Sequence, residues 1–263
     1  MSAISTTMEL ENVHLSRSRR RKSHARAESV AVVVASRRPE DLSHLCDDLL
    51  QQTLPQFELF LGLHDYKLEG DLRAKINNLR NRHITVTVQT FEGTLTLGNI
   101  LTSLSEMCTS KYVAKMDDDD IYGPEHLHDL LDVIVEQKCE VVGRAMNYIY
   151  LEPINLTVRR ATGVGVSQYE LFSDWVCGGT IMVTREAGKK AGWFGSGTTA
   201  VDTHLLTGVL KNGGKIWRTY GTGYIYRRRE DDHTYKTDFA KYLSAASEEW
   251  VGLVRGPEFG VRR

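Results

Sequence analysis

Of 263 residues only 4 are cysteine and 5 proline, and no apolar run approaches the ~20 residues that a membrane-spanning helix needs. Cys46, Cys108, Cys139 and Cys177 are scattered without a CxxC or CxxxC pair. That spacing argues against a structural zinc site or a disulfide framework and for buried thiols in a reducing compartment. No charge of either sign dominates: 33 Lys and Arg face 34 Asp and Glu, for a net charge of -1. No global field therefore recruits nucleic acid or an anionic membrane, and no nucleic-acid partner is expected. The opening MSAISTTMELEN has neither a basic start nor an apolar stretch. The chain is expected to be unexported and cytoplasmic, with peripheral contact at the inner membrane face left open. What is present, 41% hydrophobic and 25% charged residues, suffices for a sizeable core and excludes disorder, collagen and coiled coil.

Composition divides the chain into three parts. Residues 1–29 carry Arg17, Arg19, Arg20, Arg21, Lys22 and Arg26 against Glu9, Glu11 and Glu28, with Ser and His between. They read as a basic, solvated and disordered arm. From Val30 short apolar runs alternate with longer amphipathic ones. Strands are expected at Val30–Ala35, Phe57–Leu63, His83–Gln89, Lys111–Met116 and Glu140–Gly143, with helices at Pro39–Gln52, Glu69–Asn81, Leu97–Cys108 and Pro124–Gln137 between them. Such β-α repeats predict an α/β fold: an open, twisted, mostly parallel sheet flanked by helices. Residues 144–176 show no clear period. Beyond them Gly178–Thr184 reads as a strand, Ala200–Asn212 as a helix and Lys215–Arg228 as two strands. A helix over Asp238–Trp250 would give residues 236–263 the character of a C-terminal helical tail, leaving 30–235 as the main domain.

The densest chemistry is Tyr112-Val113-Ala114-Lys115-Met116-Asp117-Asp118-Asp119-Asp120, which sets four carboxylates at the carboxyl end of a central strand. Ligands of open α/β sheets bind at that edge. Adjacent anions raise one another's pKa and are best tolerated in water or beside a cation. A divalent ion is one explanation, and carboxylate oxygens suit Mg or Mn; a turn capping the helix led by Pro124 is the other. If the extended geometry persists, Asp117 and Asp119 point to one side. An EF-hand loop fails, because Ile121 and Tyr122 stand where its next ligand and Gly belong.

The order of these pieces resembles the nucleotide-sugar glycosyltransferases of the GT-A fold, most closely the inverting family 2, over roughly residues 30–235. The similar segments are AVVVASRRPE from Ala31, QTLPQFE from Gln52, Leu97-Gly98-Asn99, and YVAKMDDDDIYGPEHL with its DxD motif. Later ones are Gly178-Gly179-Thr180 with Arg185, Gly192-Trp193-Phe194, and Val201-Asp202. The resemblance implies a sugar moved from a nucleoside diphosphate sugar to a hydroxyl of a glycan, lipid-linked, protein or small-molecule acceptor, with a divalent cation, Mn or Mg. It implies Asp119 as metal ligand, with Asp117 on the ribose or assisting the metal. Asp118 joins the donor side, Asp202 is the base, and His233 in a loop reaches the metal or diphosphate. Ser36, Arg37, Arg38 and Asn99 fall on the donor side, and Trp175, Gly178, Gly179 and Trp193 on the acceptor side. Strand alternation brings one or two of Arg227, Arg228 and Arg229 toward a diphosphate.

The chain departs from the family at Ser36-Arg37-Arg38, where Thr-Tyr-Asn-like residues are usual, and at Leu61-Gly62-Leu63-His64-Asp65, where paired Asp residues are common. Both departures bear on which nucleotide is read. Two alternatives stand beside the transferase. A nucleotidyltransferase would use a similar sheet, but SRRPED lacks the Gly-rich loop that cradles a triphosphate. A non-catalytic glycan- or nucleotide-binding protein would keep the fold without turnover. Gly195 to Ala200 matches GxGxxA without the acidic residue that a dinucleotide site needs, and reads as an acceptor-side loop.

Overall fold

A computed structural model of the chain describes residues 5–23, 28–161, 169–229 and 239–261. It opens with α1 (Thr6–Ser23). The apolar run VAVVVAS becomes β1 (Val30–Ser36), shielded on both faces as a central parallel strand must be. Three β-α units follow: α2 (Pro39–Leu50), β2 (Glu58–His64), α3 (Gly70–Asn81), β3 (Thr85–Phe91) and α4 (Leu97–Met107), then β4 (Tyr112–Lys115). Proline opens α2, and its Leu42, Leu45, Cys46 and Leu49 pack under the sheet. Ile100, Leu101 and Leu104 of α4 cover the other face. All four cysteines are buried free thiols.

The chain continues through β5 (Ile121–Tyr122), α5 (His126–Gln137), β6 (Val141–Arg144), β7 (Tyr148–Leu151), β8 (Leu156–Arg160), β9 (Leu171–Ser173), β10 (Met182–Thr184), α6 (Arg185–Ala191) and α7 (Val201–Lys211). It ends with β11 (Ile216–Thr219), β12 (Tyr224–Arg228), α8 (Phe239–Leu243) and β13 (Ala246–Val251). Among the described residues eight strands form one sheet, in the order β3-β2-β1-β4-β10-β6-β11-β9. The strands from β3 to β4 are parallel, β10 runs antiparallel between β4 and β6, and β6 and β11 are again parallel. Strand order reverses between β1 and β4, so their carboxyl ends open a crevice.

Among the described residues a second sheet of five strands, β13-β8-β7-β12-β5, takes β7 and β8 from the residues 144–176 that have no period in the sequence. Strand β5 pairs with β12, with Tyr122 opposite Tyr224. The acidic run Asp117–Asp120 is therefore the connector that leaves one sheet and enters the other.

Two expectations need correction. Residues 6–23 form a helix docked on the body instead of a disordered arm. Arg17 pairs with Asp129 through two bonds of 2.8 and 2.9 Å, and Arg20 reaches Glu136 at 2.6 Å and Glu170 at 2.5 Å. Glu9, fully buried, accepts from Arg159 at 2.7 Å and from the Thr222 hydroxyl at 2.5 Å. The basic residues match carboxylates on α5 and at Glu170. The C-terminal segment is not a helical tail: among the described residues its α-helix covers Phe239–Leu243, and β13 adds antiparallel to β8. Its alternating exposure decides the matter, one face meeting the sheet and the other solvent. Among the described residues no helix is long and apolar enough to cross a membrane.

Candidate active site

Strand β4 ends on Lys115, whose side chain is almost wholly buried. A lysine there demands anions. Its Nζ lies 2.6 Å from Asp117 Oδ1 and 3.0 Å from Asp202 Oδ1, and donates to the Gly178 carbonyl at 3.3 Å. Burial alone would depress the lysine pKa; the two carboxylates outweigh it and raise it. For Asp202 burial pushes the pKa up, Lys115 pulls it back and Asp117 pushes it further, leaving it above the ordinary carboxylate value. One ammonium thus joins the first residue of the acidic run to Asp202, which opens α7 and has a side chain 30% exposed.

Close backbone approach makes this junction. A Cβ on Gly178 would lie 2.0 Å from Asp202 Oδ2, and one on Gly179 would lie 2.7 Å from Asp120 Oδ2. A side chain at either position would push a carboxylate out of place. The Tyr122 hydroxyl accepts the Asp117 N–H at 2.7 Å and donates to the Gly179 carbonyl at 2.9 Å, tying the acidic run to the glycine pair.

The remaining three carboxylates diverge. Beyond Lys115 the backbone turns instead of staying extended, so Asp119 does not share a partner with Asp117. Asp118 and Asp119 instead meet Arg38, whose Nη2 stands 2.6 Å from Asp118 Oδ1 and 3.0 Å from Asp119 Oδ2. Burial raises the Asp118 pKa against the pull of Arg38. It likewise raises Asp119, to about 6, against the same guanidinium and with help from neighbouring carboxylates. Asp120 accepts from the Tyr224 hydroxyl at 2.6 Å and the Arg227 N–H at 3.1 Å; burial and the adjacent charges hold its pKa well above normal.

A cleft of about 360 Å³ opens at the carboxyl ends of β1 and β2, lined among others by Ser36, Arg37, Arg38, His64, Asp118 and Asp119. That volume suits a small polar ligand. Ser36 Oγ accepts the Arg38 N–H at 3.1 Å and shapes the loop. The donor set suits a hard divalent ion, because it is all carboxylate oxygen and, among the described residues, Asp118 Oδ2 is buried with no hydrogen-bond partner. Among the described residues no group of three or more His, Cys, Asp or Glu is arranged to hold a metal alone. Phosphate and water usually complete such a shell.

Other expected site residues lie elsewhere. Asn99 sits in the first turn of α4, where Thr96 Oγ1 caps its N–H at 3.1 Å and donates to its side-chain oxygen at 2.7 Å. Trp193 is 2% exposed within the core and cannot stack on a sugar. Trp175 is half-buried and packs against both main core clusters. The Gly195–Ala200 loop lies against α4, with Gly98 N–H donating to the Gly197 carbonyl at 2.9 Å, and its Thr198 lines the cleft. Arg227 grips Glu152 at 2.7 and 2.8 Å, Arg229 binds Asp41 and Glu152, and Arg228 is buried against Tyr226. His233 lies outside the described residues. Lys115, Tyr122 and Tyr224 were not anticipated, although a lysine two residues before Asp117 shares its side of a strand.

No protein-family model matches the sequence, and no curated protein matches it either. Solved structures do. S. aureus TarS 1–349 superposes with a TM-score of 0.60 at 17% identity, covering 76% of this chain and 60% of that one. Its complex with UDP-GlcNAc gives a TM-score of 0.62 at 17% identity, covering 82% and 64%. The mannosyltransferase PcManGT from Pyrobaculum calidifontis, in complex with GDP-Man and Mn2+, gives 0.57 at 12% identity, covering 88% and 68%. The fold is of the GT-A type. The chain spans about three fifths of the length of TarS 1–349. In GT-A terms the cleft beside β1 and the acidic run after β4 occupy the switch-point crevice, where this architecture binds ligands.

Proposed function

We propose that this chain is a glycosyltransferase that moves a sugar from a nucleoside diphosphate sugar to an acceptor hydroxyl, with inversion and with help from a divalent cation. The observation that carries the reading is the Lys115 bridge, which sets a candidate base, Asp202, beside an acidic run that borders the cleft. The GT-A neighbours solved with UDP-GlcNAc and with GDP-Man and Mn2+ support the donor class.

The cleft residues Ser36, Arg37 and Arg38 hold the donor, with Arg38 offering a planar fork that matches phosphate oxygens. Asp119, with Asp118 beside it in the cleft, would hold the cation, which as a Lewis acid would offset the negative charge that develops on the leaving diphosphate. Asp202 takes the proton of the acceptor hydroxyl as its oxygen forms a bond to the anomeric carbon. The bond to the diphosphate breaks on the opposite face, and configuration inverts. Lys115 draws the Asp202 pKa down against burial and fixes its position.

The test is a thermal-stability screen of nucleoside diphosphate sugars with and without Mn or Mg. A cognate donor at 100 times its Kd adds about 2.7 kcal/mol. Stabilisation by one nucleotide class that requires the metal is the expected result. No response to any nucleoside diphosphate sugar would overturn the reading.

A further inference from the structure

Each of the four consecutive carboxylates has a partner, but the partners differ in kind. Asp117 is held by a lysine of β4, and Asp120 by a tyrosine and a backbone N–H of β12. Those partners are built into the sheets. Asp118 and Asp119 share one guanidinium, that of Arg38, carried on the loop between β1 and α2. The Arg38 side chain is 19% exposed and lines the same cleft as the two carboxylates. Its Nε stands 3.3 Å from Asp41 Oδ2, on the first turn of α2. Arg38 is therefore held between Asp41 and the two carboxylates at the wall of the cleft.

Two carboxylates and one guanidinium carry a net charge of -1. A divalent ion added to them alone makes the group +1 and sets two cations against the same oxygens, which is unfavourable in a partly desolvated site. A diphosphate added alone brings anions beside a pair already in excess. Added together, the ion satisfies the carboxylates while the phosphate oxygens accept the guanidinium, and the original balance returns. Arginine forms bidentate pairs with phosphate as readily as with carboxylate, so the exchange costs it little.

We infer that Arg38 is the resident cation of the Asp118–Asp119 pair, that it competes there with a divalent ion, and that a nucleoside diphosphate ends the competition by taking its guanidinium. Metal and nucleotide then bind as a coupled pair, each weak alone. The metal arm of this inference stands on the ion pairs themselves; the nucleotide arm rests on the donor reading proposed above.

Titration of the full chain with Mn2+, reading free ion by electron paramagnetic resonance, tests it without turnover. Wild type binds Mn2+ weakly, and Arg38→Gln binds it at least about tenfold more tightly, within the usual range of coupling between sites. Arg38→Lys keeps the charge and behaves like wild type. Addition of UDP or GDP tightens Mn2+ binding to wild type at least about tenfold and to Arg38→Gln by less. Arg38→Gln binding Mn2+ no more tightly than wild type, or Arg38→Lys matching Arg38→Gln, would overturn the competition. If Arg38→Gln does not fold, the wild-type titrations decide alone: Mn2+ affinity indifferent to both nucleotides overturns the coupling. Tighter Mn2+ binding by Arg38→Gln with no nucleotide effect would sink the donor reading and the exchange, and leave the competition standing.

Discussion

Lys115→Met removes the ammonium between Asp117 and Asp202 and leaves the packing volume nearly unchanged. The lysine is buried and makes contacts of 2.6 and 3.0 Å to the two carboxylates. Removing one partner of a fully buried ion pair costs about 3–5 kcal/mol. Here the carboxylate side chains are 34% and 30% exposed; solvent screening reduces the cost to about 2–3 kcal/mol. The catalytic consequence has a definite sign. Lys115 pulls the Asp202 pKa down against burial, so without it the carboxylate holds its proton to higher pH. The acid limb of kcat/KM should therefore move up, with neutral-pH turnover falling accordingly. Urea unfolding and a pH–rate profile with the donor found by the screen read the two effects separately. Lys115→Arg, which keeps the charge, should leave the acid limb in place even if its bulk lowers kcat. A Lys115→Met protein with unchanged stability and an unmoved acid limb would refute the bridge.

Gly178→Ala places a methyl group where Asp202 Oδ2 now lies. It should lower kcat by about 100-fold through displacement of the base, while calorimetry shows donor affinity unchanged. Arg17→Ala should cost about 2 kcal/mol at neutral pH, since it breaks the two-bond pair that docks α1 on α5. Burial raises the Asp129 pKa, but Arg17 and Arg144 together hold it below the ordinary value. The stabilisation is therefore present above pH ~3.9 and lost as pH falls through the folded-state value. Denaturation of wild type and Arg17→Ala should differ at neutral pH and converge in acid.

The β-α alternation from β1 to β6 was legible because apolar runs and amphipathic helices follow one another locally in the chain. VAVVVAS has no polar face, and the leucines of α2 recur at helical spacing. The acidic run was legible for the same reason, since it follows an apolar strand directly. The second sheet was not. Its strands YIYL and LTVRR are short, and each depends on partners distant in sequence, such as β13 against β8. The helix α1 was missed because charge pairs hold it to α5 in place of an apolar stripe. The turn after Lys115 defeated the two-residue rule for Asp117 and Asp119. The partnership of Arg38 with that turn joins residues 80 positions apart, and local spacing carries no trace of it.

Asp202→Asn is nearly isosteric and removes the capacity to accept a proton, together with one of the two charges that face Lys115. With the nucleoside diphosphate sugar identified by the screen, calorimetry and a transfer assay on the same preparation give the most direct reading of the site. Donor affinity should stay within about threefold of wild type, while transfer falls by at least about 100-fold, the usual contribution of a general base. Transfer at the wild-type rate would show that the carboxylate held by Lys115 takes no part in the chemistry.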